Sequence, residues 1–228
     1  MLILFVHQNF PGQFKFLAPA LVDQGHDVIA LRMSPKPSFE WNKVRVFTYM
    51  PNRGSTQNIH PWAQDFETKV IRAQAILQAF IKLKDDGFTP EIVIAHPGWG
   101  ESLFVKDVWP NVRLGIYCEF FYNAFGADMN FDPEFSNDSL ETQCQLKIKN
   151  INNTLHFDLA DAALCPTQWQ ADSFPLPFRS KINVIHEGID TSILKPLRSS
   201  FIILDDRLRL DENSEVITFV NRNLEPYR

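Results

Sequence analysis

His96 closes a compact apolar run, Ile92-Val93-Ile94-Ala95, and Pro97 and Gly98 turn the chain directly after it. Glu119 follows a second run that ends at Tyr117, and aromatic residues flank it. Gly12 lies in Phe10-Pro11-Gly12-Gln13, just beyond the apolar opening Leu2–Val6 and His7. Such runs read as buried strands, and open α/β sheets bind ligands at the C-terminal ends of their strands. Burial among aromatic side chains raises the pKa of a carboxylate and suits it to acid–base work or to positioning a ligand. A glycine between a strand end and a helix start lets an anion approach backbone N–H groups. Each residue also has a plainer reading: a tight turn for Gly12, a satisfied structural imidazole for His96 and His7, and a backbone-bonded carboxylate for Glu119.

The elements that must position these residues follow from periodicity. Leu2–Val6 is a strand; Phe14, Leu17 and Leu21 then recur at helical spacing, Gly25 stops that helix, and Asp27–Leu31 is a second strand. This βαβ start implies parallel strands joined by a right-handed crossover. Val44–Tyr49, Ile92–Ala95, Arg113–Tyr117, Ala162–Leu164 and Ile182–Ile185 read as further strands. A long amphipathic helix from Trp62 to Phe80 is expected, with shorter ones over Ser102–Val108, over Leu140–Leu159 and from Thr167 onward. Strands with little alternation, separated by helices, predict an α/β fold: a Rossmann-like parallel sheet of about six or seven strands with helices on both faces. Residues 120–137 break this rhythm, and a loop of that length in a compact domain is often functional. Within it, Asp128, Asp132 and Glu134 either bind ligand hydroxyls or keep the loop soluble.

Composition excludes several classes. The net charge of −5 argues against general nucleic-acid binding, which needs basic surface. Three cysteines with no CxxC spacing argue against a disulfide framework or a zinc site, and are expected as reduced, mostly buried thiols. The opening lacks a basic region, its apolar run is too short for a signal peptide, and no stretch approaches the ~20 apolar residues of a membrane span. A cytoplasmic protein is the expectation, with peripheral contact at the inner face of the membrane as an option. Residues 1–195 are expected as one domain; 196–228 read as a linker followed by a strand, Val216–Val220, that opens a second domain left incomplete. That strand is expected either to pack back on its own domain or to pair with a second copy of the chain.

Four stretches resemble family 4 of the retaining glycosyltransferases with the two-domain GT-B fold. They are Ile182-Asn183-Val184-Ile185-His186-Glu187-Gly188-Ile189-Asp190, Val216–Arg228, Ile92–Pro97, and the opening strand with its Phe10–Gln13 loop. In the first, His186-Glu187 stands where the family has Pro-Asn; in the second, Asn221 stands where Gly is usual and Asn223 is an addition. The resemblance implies the acceptor-side, N-terminal part of an enzyme that moves a hexose-type sugar from a nucleotide-sugar donor to a saccharide, lipid-linked or small-molecule acceptor, without a metal or other cofactor. On its own, this half is expected to be inactive. The resemblance implies that His96 contacts the transferred sugar, by its ring or its carbonyl, and that Glu119 positions the acceptor. It places Gly12 and Arg222 near the donor phosphates, and gives Asp128, Tyr122 and Trp99 to the acceptor. The aromatic residues Trp99, Phe120, Phe121, Tyr122 and Phe125 could stack on a sugar ring or belong to the core. Two other readings stand beside transfer: a non-catalytic Rossmann-like module that binds a nucleotide or a partner, and a GT-B sugar-nucleotide epimerase.

Overall fold

The computed structural model describes residues 1–126, 130, 134, 139–205 and 207–218. The chain divides into two compact units, Met1–Glu187 and Gly188–Arg228.

The first unit is built on strands β1 (Leu2–Val6), β2 (Asp27–Met33), β3 (Phe39–Trp41), β4 (Val44–Tyr49), β5 (Ile92–Ala95), β6 (Arg113–Tyr117), β7 (Ala162–Cys165) and β8 (Ile182–Val184). Their order across one sheet is β3-β4-β2-β1-β5-β6-β7-β8, and β3 alone runs antiparallel to its neighbour. The helices are α1 (Leu17–Asp23), α2 (Pro61–Asp85), α3 (Val105–Val108), α4 (Leu140–Lys149), α5 (Ile151–Leu159), α6 (Gln168–Ser173) and α7 (Leu176–Arg179). Alternate side chains of a strand point to opposite faces, and β1 feeds two cores accordingly. Leu4 and Val6 join Ile76 and Phe80 of α2 on one face. Ile3 and Phe5 join Phe14 and Ala18 on the other. A strand buried on both sides has no polar face, which is why these runs lack hydrophobic alternation.

Local chemistry sets the element ends. Helix α2 starts at Pro61, where a missing N–H costs nothing, and the His60 side chain accepts from the Trp62 N–H. It stops before Gly87, whose φ of +89° suits only glycine well. The helix expected over 140–159 is two helices. They meet at Asn150, whose amide is engaged by the backbone of Tyr122: Asn150 Oδ1 accepts from the Tyr122 N–H and Nδ2 donates to its carbonyl, at 3.1 and 2.8 Å. The helix expected over Ser102–Val108 shortens to α3. Glu101 and Ser102 instead sit in a buried turn. The edge strand β3, which periodicity did not reveal, is joined to β4 by Asn42 and Lys43, both with positive φ, the backbone that a two-residue hairpin turn requires.

In the second unit, Phe201–Leu204 (β9) and Leu208–Asp211 (β10) pair as an antiparallel hairpin within the stretch expected to be a linker. Of the strand expected at Val216–Val220, residues 216–218 are not in a strand and Ile217 is exposed; the rest lies outside the described residues. Among the described residues no helix is long and apolar enough to cross a membrane.

Helix α2 gives a direct test of this packing. The Phe80 ring is fully buried, 5.4 Å from that of Trp109, while the neighbouring Ile81 is exposed. Phe80→Ala is expected to cost about 3–5 kcal/mol and Ile81→Ala under about 1 kcal/mol, measured by urea unfolding of each variant.

Candidate active site

Strand order reverses between β1 and β5. From β1 the chain moves outward to β2 and β4, and from β5 it moves the other way through β6, β7 and β8. Loops leaving the C-terminal ends of β1 and β5 therefore diverge, and a crevice forms where they part. Val6 and Ala95 are register partners at those ends, so His7 and His96 emerge side by side. Their rings lie 5.4 Å apart, edge to face. Trp99 packs on both, at 5.0 Å from His7 and 4.5 Å from His96. Tyr117, the last residue of β6, stacks on His96 at 5.5 Å, and Phe14 meets the edge of His7 at 5.8 Å.

Hydrogen bonds fix both imidazoles in the same way. His96 Nδ1 accepts from the Gly98 N–H at 3.1 Å, so its proton sits on Nε2 and is donated to Glu119 Oε2 at 3.0 Å. His7 Nδ1 accepts from the Asn9 N–H at 3.0 Å, and its Nε2–H is donated to Gln13 Oε1 at 2.7 Å. Each ring is thus steered by a backbone N–H two residues onward and by one oxygen on the far side. Both arrangements need a glycine close by. A Cβ on Gly12, whose φ is +47°, would stand 2.4 Å from the His7 ring. A Cβ on Gly98 would stand 2.8 Å from the His96 ring. Contacts between residues distant in sequence complete the frame. Asn152 Nδ2 donates to the Pro97 carbonyl at 2.8 Å and Gln170 Nε2 to the Glu119 carbonyl at 3.0 Å, while the Tyr117 hydroxyl donates to Glu187.

Burial sets the charge state of this region. Desolvation, followed by the neighbouring His96, lowers His7 to about 4. Full burial lowers His156 to about 4; its Nδ1–H is donated to the Asn152 carbonyl at 2.7 Å. Burial pushes Glu101 up to about 7, although the Tyr49 hydroxyl donates to its Oε1 at 3.0 Å. The Tyr117 phenol is raised above its usual range by desolvation and then by Glu187. The half-exposed carboxylate is Glu119, with 53% of its side chain accessible against 4% for His96. A small cavity of about 60 Å³ lies against it, lined also by His96, Tyr122 and Lys69.

The expected site residues divide accordingly. His96, Glu119 and Trp99 come together in the crevice, and Gly12 joins them through His7. Tyr122 lines the small cavity, with its backbone tied to Asn150 and its ring beneath the Lys149 ammonium at 3.9 Å. Phe121 packs on the core residue Phe174. Asp128 and Arg222 lie outside the described residues. Gln13, Tyr117 and Asn152 were not anticipated. Gln13 stands in the glycine loop and Tyr117 at a strand end, so position was a signal for both. Asn152 reaches the loop across 55 residues of sequence, and nothing local marks it. Among the described residues no group of His, Cys, Asp and Glu is arranged to hold a metal. All three cysteines are free thiols, and Cys118 and Cys165 are buried.

Two measurements check this geometry. His7 and His156 are held below their free value of 6.5, so their contribution to stability is full above pH 6.5 and is lost as pH falls toward 4. Between about pH 7 and pH 5 each ring should remove roughly 2 kcal/mol of stability. Glu101 acts in the opposite sense. Its raised pKa disfavours the fold as pH climbs from 4.5 toward 7, so acidification relieves about 2 kcal/mol over the same range. Glu101→Gln is therefore expected to steepen the acid loss of stability by about that amount, read from urea unfolding at the two pH values. At Gly12, substitution by Ala should cost about 1–3 kcal/mol. In a His7→Ala background the cost should shrink, because the clashing ring is gone and the two changes cease to be additive.

The sequence profile of the Glycosyl transferase family 4 group matches residues 24–194. No curated protein matches the chain. Among solved structures, sucrose-phosphate synthase from Thermosynechococcus elongatus is similar at 12% identity and a TM-score of 0.51, over 83% of this chain and 91% of that one. Os79 from O. sativa, crystallised with trichothecene, is similar at 9% identity and a TM-score of 0.50, over 72% of this chain and 47% of that one. The catalytic domain of starch synthase IV from Arabidopsis thaliana aligns at 13% identity and a TM-score of 0.49, over 84% of this chain and 52% of that one. The chain thus spans about half the length of the latter two. At such identities structural likeness speaks for the fold, while the profile covers most of the sequence. The chain belongs to the glycosyl transferase family 4 group and has the fold of a GT-B N-terminal domain.

Proposed function

We propose that this chain is the acceptor-side part of a retaining glycosyltransferase that uses a nucleotide-sugar donor. The observation that carries this reading is the His96–Glu119 pair, set in the crevice where strand order reverses. In the reaction, the bond from the anomeric carbon to the donor phosphate breaks. A bond to the acceptor oxygen forms on the same face, and the acceptor proton passes to the departing diphosphate. Such a step is accelerated chiefly by fixed dipoles and charges around the leaving group, a role proposed for Arg222. Gly12 leaves bare, exposed backbone beside His7, where a donor could approach.

The family resemblance assigns sugar contact to His96, but its ring is almost wholly covered while Glu119 is half exposed. The proposal therefore gives the acceptor hydroxyl to Glu119 and makes His96 its positioning residue. The Nε2–H of His96 holds one carboxylate oxygen and so fixes the plane of the group.

The test is a screen of UDP-, ADP- and GDP-sugars, with mass detection of product, on the complete reading frame that carries this chain. Transfer with retained configuration supports the reading, and hydrolysis or epimerisation without transfer removes it. Glu119→Gln and His96→Ala should each lower kcat/KM by at least about tenfold. The double variant should be little worse than either single one, because both act through one carboxylate. His96→Gln, which keeps a donor, should recover part of the loss. Independent, additive losses would assign His96 a role separate from Glu119.

A further inference from the structure

A second concavity of about 400 Å³ is lined by Asn123, Phe125, Gly126 and residues of α6 and α7. Its volume lies within the ~300–1,000 Å³ typical of small-molecule pockets. Two of its walls are aromatic side chains left open: Trp169 is 58% exposed and Phe125 60% exposed. Trp169 rests on Phe120, with ring centroids 5.8 Å apart. Two open aromatic side chains lining one concavity give it the apolar wall that small-molecule sites use.

The polar rim narrows the choice of ligand. Asn123 Nδ2 donates to the carbonyls of Phe121 and Ser173, at 3.0 and 2.9 Å, leaving Oδ1 as an acceptor. Asp172 Oδ1 accepts from Gln168 at 3.0 Å, while Oδ2 takes no hydrogen bond among the described residues. Arg179 Nε donates to the Phe174 carbonyl at 2.7 Å, and its guanidinium faces Asp172 at 3.8 Å. Among the described residues that line the concavity, acid and base therefore offset each other and offer no net charge to a phosphate or nucleotide. It presents a flat aromatic face with hydrogen-bonding groups at its edge. A neutral sugar ring has that complementary form, with a C–H face for the electron-rich indole and hydroxyls for the rim.

The geometry points to this concavity as a carbohydrate subsite, in which a neutral sugar ring of an oligosaccharide acceptor stacks on Trp169. The inference rests on the proposed transfer reaction. It extends the acceptor path from Glu119, since Phe120 bridges to Trp169 and Gln170 of α6 holds the Glu119 carbonyl.

The test uses the chain as it stands, with the indole N–H signals of its tryptophans followed by NMR. Maltotriose, cellotriose, mannotriose and chitotriose are titrated in turn, with UDP and inorganic phosphate as controls. At least one trisaccharide should shift the Trp169 signal saturably. Trp169→Ala should weaken that binding by at least about tenfold, and Trp169→Phe, which keeps a flat ring, by less. The Trp169 side chain is exposed, so both variants should fold as wild type. No saturable shift from any of the four trisaccharides up to ~50 mM overturns the inference, and so does a shift of the same signal by UDP or phosphate. The donor screen separates this from the reaction. Trisaccharide binding at Trp169 without transfer from any donor removes the reaction and keeps the subsite. Transfer to a saccharide whose KM is unchanged by Trp169→Ala keeps the reaction and removes the subsite.

Discussion

Right-handed crossovers force the loops at the C-terminal ends of β1 and β5 apart. A chain that lays β2 and β4 on one side of β1, and β6 to β8 beyond β5 on the other, must swing its connections in opposite directions at the one place where the order turns. The gap is a product of topology and exists before any side chain is chosen. Sequence then decides what stands in it. Here the residues directly after the two strands are both histidines, so two imidazoles, a tryptophan and a tyrosine come within about one ring of each other at the mouth of a sheet.

Burial and the nearby His96 ring disfavour a charge on His7, and the hydrogen bonds around the two rings follow one pattern. Each Nδ1 is turned inward to a backbone N–H, which leaves Nε2 as a donor facing outward. The inner imidazole meets the neutral amide of Gln13, while the outer one meets a carboxylate that remains half in water. Polarity is thus graded across a few ångströms, from the buried His7 to the accessible Glu119. The carboxylate sits where water and a ligand can reach it, and the buried rings behind hold it in place. The buried acid Glu101 and the buried base His156 lie behind the same loop, with pKa values moved in opposite directions by the same loss of water.

Much of this was legible in the residues. Strand runs without alternation announce a sheet covered on both faces, and residues placed just after such runs fall at one sheet edge; His96, Glu119 and Gly12 follow that rule. Their pairing was not legible, because the contact between His96 and Glu119 depends on how far the loop after β6 leans toward β5. The role of Gly12 was hidden for a related reason: its neighbour is the His7 side chain, not a ligand. Strand β3 escaped notice because its turn is Asn42-Lys43, without the glycine that usually marks such a hairpin. The break at Asn150 was invisible because its cause, the backbone of Tyr122, lies 28 residues away. Exposed Trp169 gave no periodic signal, since α6 is six residues long.

The contact between Gly12 and the His7 ring also limits how the chain can drift in evolution. Position 12 carries two independent restrictions, a positive φ and a ring pressed against its Cα, and only the second can be lifted from elsewhere. Among diverged relatives, a non-glycine residue at the equivalent of position 12 should occur together with a residue smaller than histidine at position 7. It should then be Asn or Asp, the side chains that best tolerate left-handed backbone. The two sites should change as a pair, with an ancestor holding a small residue at both as the passable intermediate. The same reasoning makes loss of His7 the reversible first step and gain of a side chain at position 12 the step that locks it in.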